Sequence, residues 1–355
     1  MVPGVEVWVQ AQQQLGVQTD IPAAAVTICC GCNWDFVDFS ARETSDATLA
    51  GLLQLAMKSR RPAVAATAAA ALQRLPALLE PGTVRLLLVT AAMRQHSEAL
   101  QHLAALAAVQ QHVDAATLQT VLIELVTHAD NSSYVQLLRR FPAAAAQLKR
   151  STVAELLQAA VERGRCVWVQ QLCKLPGAQR LSSNVTAQLL QTAVDRGYCE
   201  CTYYLCSLSA ARRLGNEAVA ELLEAAVKCP EDVTQWAVSD CIHHLCRLPA
   251  AQQLSSEVLA SLLHAAVQRN SGAGADWLCK LPAAQQLSSS CVTELLCAAA
   301  KQRNQVVMQG VCRLPAAVNL KVSEDFGARL QHVASTAAAV LATVCSPTGV
   351  SLSPL

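Results

Sequence analysis

Paired apolar residues return along this chain at a nearly constant spacing. The pairs are Leu52–Leu53, Leu87–Leu88, Leu122–Ile123, Leu156–Leu157, Leu189–Leu190, Leu222–Leu223, Leu262–Leu263 and Leu295–Leu296. Around each pair the apolar positions keep a helical period: Val153, Leu156, Ala159 and Ala160 share one side, and Glu155, Gln158 and Glu162 form a polar stripe on the other. A second apolar segment follows each pair and ends in a recurring run, LCKLP at Leu172–Pro176, LCSLS at Leu205–Ser209, LCRLP at Leu245–Pro249, LCKLP at Leu278–Pro282 and VCRLP at Val311–Pro315. The steps from 172 to 205, 245 to 278 and 278 to 311 are each 33 residues, whereas 205 to 245 is 40, so one copy carries an insertion of seven. A helix with one apolar face cannot bury it alone, and a fixed period of this size lets neighbouring copies cover one another. The pattern predicts an all-α fold, a right-handed α-solenoid of about eight two-helix repeats of 33–35 residues.

Within the fourth repeat, Ser151 or Thr152 is placed to cap the first helix, and Gly164 to end it. Gly197 and Asn270 stand at matching positions, and all three tolerate the left-handed conformation of a helix end. The second helix is predicted from Cys166 to Leu175, with Val169, Leu172 and Cys173 inward and Pro176 at its exit, and PGAQRLSS leading to the next serine cap. The repeats fill 45–320. Residues 1–44, with Trp8, Trp34, Phe36 and Phe39, are expected to form an N-terminal cap, 321–345 a closing helix, and 346–355 a disordered tail. The insertion, near 228–236, contains Pro230 and Trp236 and is expected to protrude as a loop.

Composition narrows the classes. The chain is 53% hydrophobic, 15% charged and 4% aromatic, so alanine and leucine fill the core. With 27 Lys and Arg against 26 Asp and Glu, the net charge of +1 gives no global field toward nucleic acid or acidic lipid. Many of the 16 cysteines recur at one helical position, as small buried hydrophobes do. The start MVPGVEVWVQAQQQ lacks a basic region followed by an apolar run, and Pro62–Leu72 and Thr336–Cys345 are too short to cross a bilayer. These features predict an intracellular, reducing compartment, cytoplasmic rather than organellar, and no membrane association.

The run L-L-x-A-A-x-x-x-G-x-x-x-x-V-x-x-L, seen from Leu156 to Leu172, is similar to two helical-repeat families. Its 33-residue period resembles ankyrin repeats, although LPAAQQLSS stands where a glycine-containing finger would be and no TPLH-type tetrapeptide appears. The distance from leucine pair to glycine to second helix is more similar to pentatricopeptide repeats, a resemblance that implies reading of single-stranded RNA by polar first-helix residues. The matching positions here are Glu155, Gln188, Glu221, Ser261 and Glu294, mostly acidic. The resemblance covers roughly Thr48–Leu320.

Candidate chemistry is sparse. No G-x-S-x-G, P-loop, H-E-x-x-H or double C-x-x-C occurs, so no catalytic residue and no cofactor is assigned. Cys29, Cys30 and Cys32 offer three thiolates where a closed zinc site takes four ligands, and adjacent His243 and His244 diverge by about 100° on a helix, so no metal is assigned either. Cys173, Cys206, Cys246, Cys279 and Cys312 form a ladder assigned to the core. A basic ladder, Arg74, Arg140, Lys174, Arg247, Lys280 and Arg313, sits near the ends of second helices, where cations complement the macrodipole. Variation inside the uniform frame is the functional signal: just before the recurring second-helix leucine stand Tyr203 and Tyr204, then His243 and His244, then Trp277, with Trp236 in the insertion. Aromatic side chains of this kind are enriched at binding hot spots. The sequence thus predicts a monomeric, non-enzymatic scaffold that binds another protein through a continuous repeat face, with single-stranded RNA as the rival ligand.

Overall fold

The computed structural model describes residues 62–71, 81–128, 135–229, 234–302 and 304–320. The expected N-terminal cap with Cys29, Cys30 and Cys32, the closing helix, the tail, Arg74, and residues 230–233 of the insertion lie outside them. Regular structure among the described residues is entirely helical. The helices group into two compact units, the first running to Ala159 and including Leu175–Gly177, the second comprising Ala160–Lys174 and the chain from Ala178.

The first unit contains α1 (Pro62–Ala71), α2 (Pro81–Met93), α3 (Ser97–Ala105), α4 (Ala107–His112), α5 (Ala115–His128), α6 (Gln136–Arg140) and α7 (Pro142–Ala146). Here α1 packs on α3 and α3 on α6, while α2 packs on α5 and α5 on α7. Leu87, Leu88, Leu100, Leu103, Leu122 and Leu125 are buried between them. Helix α8 (Arg150–Glu162) carries the division between the units. Ser151 and Thr152 do not cap it, because the helix begins at Arg150 and both residues lie inside its first turn.

The second unit holds a regular series. After α9 (Cys166–Leu172) and the short α10 (Pro176–Gln179), pairs of helices alternate: α11 (Ser183–Asp195) with α12 (Cys199–Cys206), α13 (Asn216–Val227) with α14 (Gln235–Cys246), α15 (Ser256–Gln268) with α16 (Gly272–Cys279), and α17 (Ser289–Lys301) with α18 (Gln305–Cys312), followed by α19 (Pro315–Leu320). Each pair packs internally, and two rows result: α11, α13, α15 and α17 contact in succession, as do α9, α12, α14, α16 and α18. The leucine pairs explain the first row. Leu189–Leu190, Leu222–Leu223, Leu262–Leu263 and Leu295–Leu296 are all buried, each side chain contributing about 1.5–3 kcal/mol on removal from water.

Helix ends are set locally. Ser182, Ser255 and Ser288 accept from the backbone N–H groups of Val185, Val258 and Cys291 and so cap α11, α15 and α17. At the other end Gly164, Gly197 and Asn270 take φ of 65°, 67° and 55°, which lets the next residue donate back five positions: Arg165 N to Ala160 O at 2.9 Å, Tyr198 N to Ala193 O at 2.8 Å and Ser271 N to Ala266 O at 2.9 Å.

Two predicted boundaries are corrected. The second helix of the fourth repeat stops at Leu172, and Pro176 does not merely mark an exit but opens α10, because proline suits the first helical position. The equivalent segments form short 3-10 turns at Ala211–Arg213, Ala251–Gln253 and Pro282–Gln286, so these repeats have a third small element. In the insertion, Trp236 lies on a helix rather than on a loop. Thr234 caps α14 by accepting from Ala237 N, and α14 is 12 residues long against 8 in α12 and α16.

Candidate partner-binding face

The second-helix row brings five of the six candidate side chains into one continuous line. Tyr204 and Tyr203 meet edge to face with centroids 5.0 Å apart, Tyr203 lies 5.0 Å from His244, His244 lies 5.0 Å from His243, and His243 stacks on Trp277 at 3.9 Å and 19°. The line therefore crosses from α12 through α14 to α16. It is possible because α16 approaches α14 closely: a Cβ on Gly274 would come within 2.7 Å of Ile242 Cδ1. Lys280 Nζ stands 3.8 Å from the Trp277 ring centroid. The Trp277 ring is thus engaged both by the His243 imidazole and by the Lys280 ammonium.

Exposure separates the six residues. Tyr203 is 48% exposed and Trp236 80%, whereas Tyr204, His243, His244 and Trp277 are half-buried. Trp236 makes no ring contact with the line. It stands seven residues before His243 on α14, about two turns and 10 Å along the same side of that helix. Burial holds both imidazoles below their ordinary range, followed by the nearby cation Arg247 for His243 and by His243 itself for His244, with Asp240 opposing in both. The pair is therefore neutral at pH 7.

Charge is divided between the two helix rows. On the second-helix side Arg247, Lys280 and Arg313 occupy the C-terminal ends of α14, α16 and α18, and Lys174 follows α9. Asp276 binds Lys280 at 2.7 Å and lies 3.7 Å from Arg313. On the first-helix side, Glu217, Glu221 and Glu224 border an open groove of about 510 Å³ between α13 and α15, floored by Leu254, Val258 and Leu262. The cysteine ladder points inward: Cys173, Cys246, Cys279 and Cys312 are buried and Cys206 half-buried, and burial pushes the thiols of Cys173, Cys246 and Cys279 up to about 12. Among the described residues no three metal-ligating side chains converge, and no helix is long and apolar enough to cross a membrane.

A feature that the sequence reading passed over adjoins the ring line. Tyr203, Ser207, Arg212, His244 and Arg247 surround a cleft of about 400 Å³. The signal was present in the chain, since Arg212 stands where three other copies have Gln179, Gln252 and Gln285. Gln179 and Gln252 donate to the carbonyls of Cys173 and Cys246 at 2.9 and 2.7 Å, a bond that Arg212 does not make.

Comparison of the chain with protein families, with curated proteins and with solved structures finds no match in any of the three.

Proposed function

We propose that this chain is a non-enzymatic α-solenoid scaffold, right-handed and built of about eight repeats, that binds another protein through the face formed by its second helices. The observation that carries the reading is the ring line from Tyr204 to Trp277, continuous across three successive helices, with Tyr203 exposed within it and Trp236 exposed beside it on α14. Aromatic residues that are partly ordered by their neighbours make rigid anchors with little entropy left to lose on binding. The two helix rows and the 33-residue period support an ankyrin-like or pentatricopeptide-like repeat relationship, with the helix spacing nearer the latter.

Single-stranded RNA is the second reading, favoured by the exposed cations Lys174, Arg247, Lys280 and Arg313, of which Arg247 and Lys280 stand beside aromatic rings. Against it, base stacking needs a free ring face, and the Trp277 ring is already stacked on His243 and in contact with the Lys280 ammonium. The acidic first-helix groove repels phosphate as well. Affinity capture from lysate with and without nuclease tests the choice: a protein retained through nuclease treatment, and lost in the Tyr203→Ala/Trp236→Ala variant, supports the scaffold. Loss of all captured material on nuclease treatment refutes it in favour of RNA.

A further inference from the structure

The cleft between α12 and α14 is lined by two arginines, Arg212 and Arg247, with no acidic partner among the described residues. Arg247 belongs to the basic ladder at the ends of second helices, where a cation complements the helix dipole. Arg212 has no such reason to be there. It lies in the 3-10 turn Ala211–Arg213, its counterparts Gln179 and Gln252 each donate to a helix carbonyl, and no ion pair or side-chain hydrogen bond engages it among the described residues. Its position has a consequence for the ladder. Lys174, Arg247, Lys280 and Arg313 supply a cation at the end of α9, α14, α16 and α18, but α12 ends in Ser207, whose hydroxyl donates to Tyr204 O at 2.5 Å. Arg212 reaches the cleft beside Ser207 and restores the missing charge. The second-helix face therefore presents a cation at every one of these five helices.

We infer that this face takes an extended acidic segment of a partner protein, with one carboxylate seated between Arg212 and Arg247 and further carboxylates at the neighbouring helices. The inference rests on the protein-binding reading above and names the chemistry of the partner. Guanidinium groups pair with carboxylates through parallel N–H donors, and the apolar wall formed by the Tyr203 and His244 rings, Leu248 and Pro249 accepts an adjoining hydrophobic side chain. The spacing also fits. Packed helices stand about 8–10 Å apart and an extended chain advances about 3.3 Å per residue, so acidic residues about three positions apart meet successive helices. Asp276, which engages Lys280 and Arg313, moderates the charge toward α18, so the unpartnered pair Arg212 and Arg247 is the strongest point of attraction.

Fluorescence anisotropy on the whole chain tests this. The probe is a labelled peptide of about twelve residues carrying glutamate at about every third position between leucines. Its companions are the same peptide with glutamine for glutamate, a version with phosphoserine for glutamate, and a single-stranded oligonucleotide of similar charge. The glutamate peptide is expected to bind, to weaken with added salt, and to lose about tenfold in affinity in Arg212→Gln and again in Arg247→Gln, each the loss of one charge-assisted pair. Circular dichroism of both variants checks that they remain folded. Equal binding of the glutamine peptide, no binding of the glutamate peptide, tighter binding of the phosphopeptide or oligonucleotide, or an unchanged affinity in Arg212→Gln overturns the inference. Its failure is distinguishable from that of the underlying reading: a captured protein partner lost in Tyr203→Ala/Trp236→Ala but retained in Arg212→Gln/Arg247→Gln leaves the scaffold intact and removes only the acidic ligand.

Discussion

Trp277→Ala should destabilise the chain, and the size of the loss follows from what surrounds the ring. The substitution removes the stack on His243 at 3.9 Å, worth about 0.5–1.5 kcal/mol beyond burial, and the Lys280 ammonium at 3.8 Å, worth about 0.5–1 kcal/mol at a partly exposed site. A fully buried tryptophan cut to alanine costs about 3–5 kcal/mol in all, and Trp277 is half-buried, so a total of about 2–3 kcal/mol is expected. For a folding unit of this size each kcal/mol lowers the melting temperature by about 2–4 °C, giving a drop of roughly 4–12 °C. Trp236→Ala serves as the internal control. That ring is 80% exposed with no ring partner among the described residues, and its loss should change stability by less than about 0.5 kcal/mol. Thermal melts followed by circular dichroism at 222 nm (the standard helix signal), run on both variants and the parent, decide the matter. A melting temperature for Trp277→Ala within a degree or so of Trp236→Ala would show that the ring line does not hold these helices together.

Three further outcomes are expected. Leu222→Ala, at a site 2% exposed in the first-helix row, should cost about 2–5 kcal/mol by denaturant titration, against less than about 0.5 for Leu86→Ala, which is 46% exposed. Gly164→Ala forces a side chain to φ 65° and brings its Cβ within 2.8 Å of the Tyr198 ring, so a loss of about 1–2 kcal/mol or more should appear in the same assay. Stability should also depend on pH at both ends. His243 and His244 titrate lower in the fold than in the unfolded chain, so the unfolded state binds more protons just below about pH 6.5 and stability falls as pH drops through that window. Cys173, Cys246 and Cys279 titrate higher in the fold, so their contribution is complete below the ordinary thiol value of about 8.5 and is lost as pH rises. That loss continues until the folded value of about 12 is passed. Melts across pH 5 to about 11 should fall at both ends, and His243→Gln/His244→Gln should flatten only the acid limb.

Much of the fold was legible because its signals are local. Leucine pairs at a helical period mark the buried side of each first helix, and Gly164, Gly197 and Asn270 mark helix ends because the left-handed turn there disfavours larger side chains. The serine caps were legible where a serine precedes the first turn, as at 182, 255 and 288, and misplaced at α8, where Lys149 occupies the equivalent position and Ser151 lies inside the helix. The extra turn of α14 was hidden by Pro230, which argues for a loop but stands before the Thr234 cap. The ring line was visible only as a set of equivalent positions. Whether such rings project or stack on one another depends on the distance between neighbouring helices, and the close approach of α16 to α14 at Gly274 is not signalled by the side-chain pattern. Arg212 was missed for a different reason: it lies in a segment read as linker, where only comparison with Gln179 and Gln252 shows that a side chain bonded to a helix carbonyl has been replaced by a cation lining a cleft.

The most direct test of the binding face places a photo-crosslinking amino acid at either of two positions in the intact chain. One replaces Tyr203, 48% exposed on α12, and the other replaces Val258, 37% exposed on α15 in the acidic groove. After illumination in lysate, followed by nuclease treatment and denaturing purification, the account predicts a discrete protein adduct from position 203 and none from position 258. An adduct formed from position 258 alone, or adducts to nucleic acid alone from position 203, would contradict it.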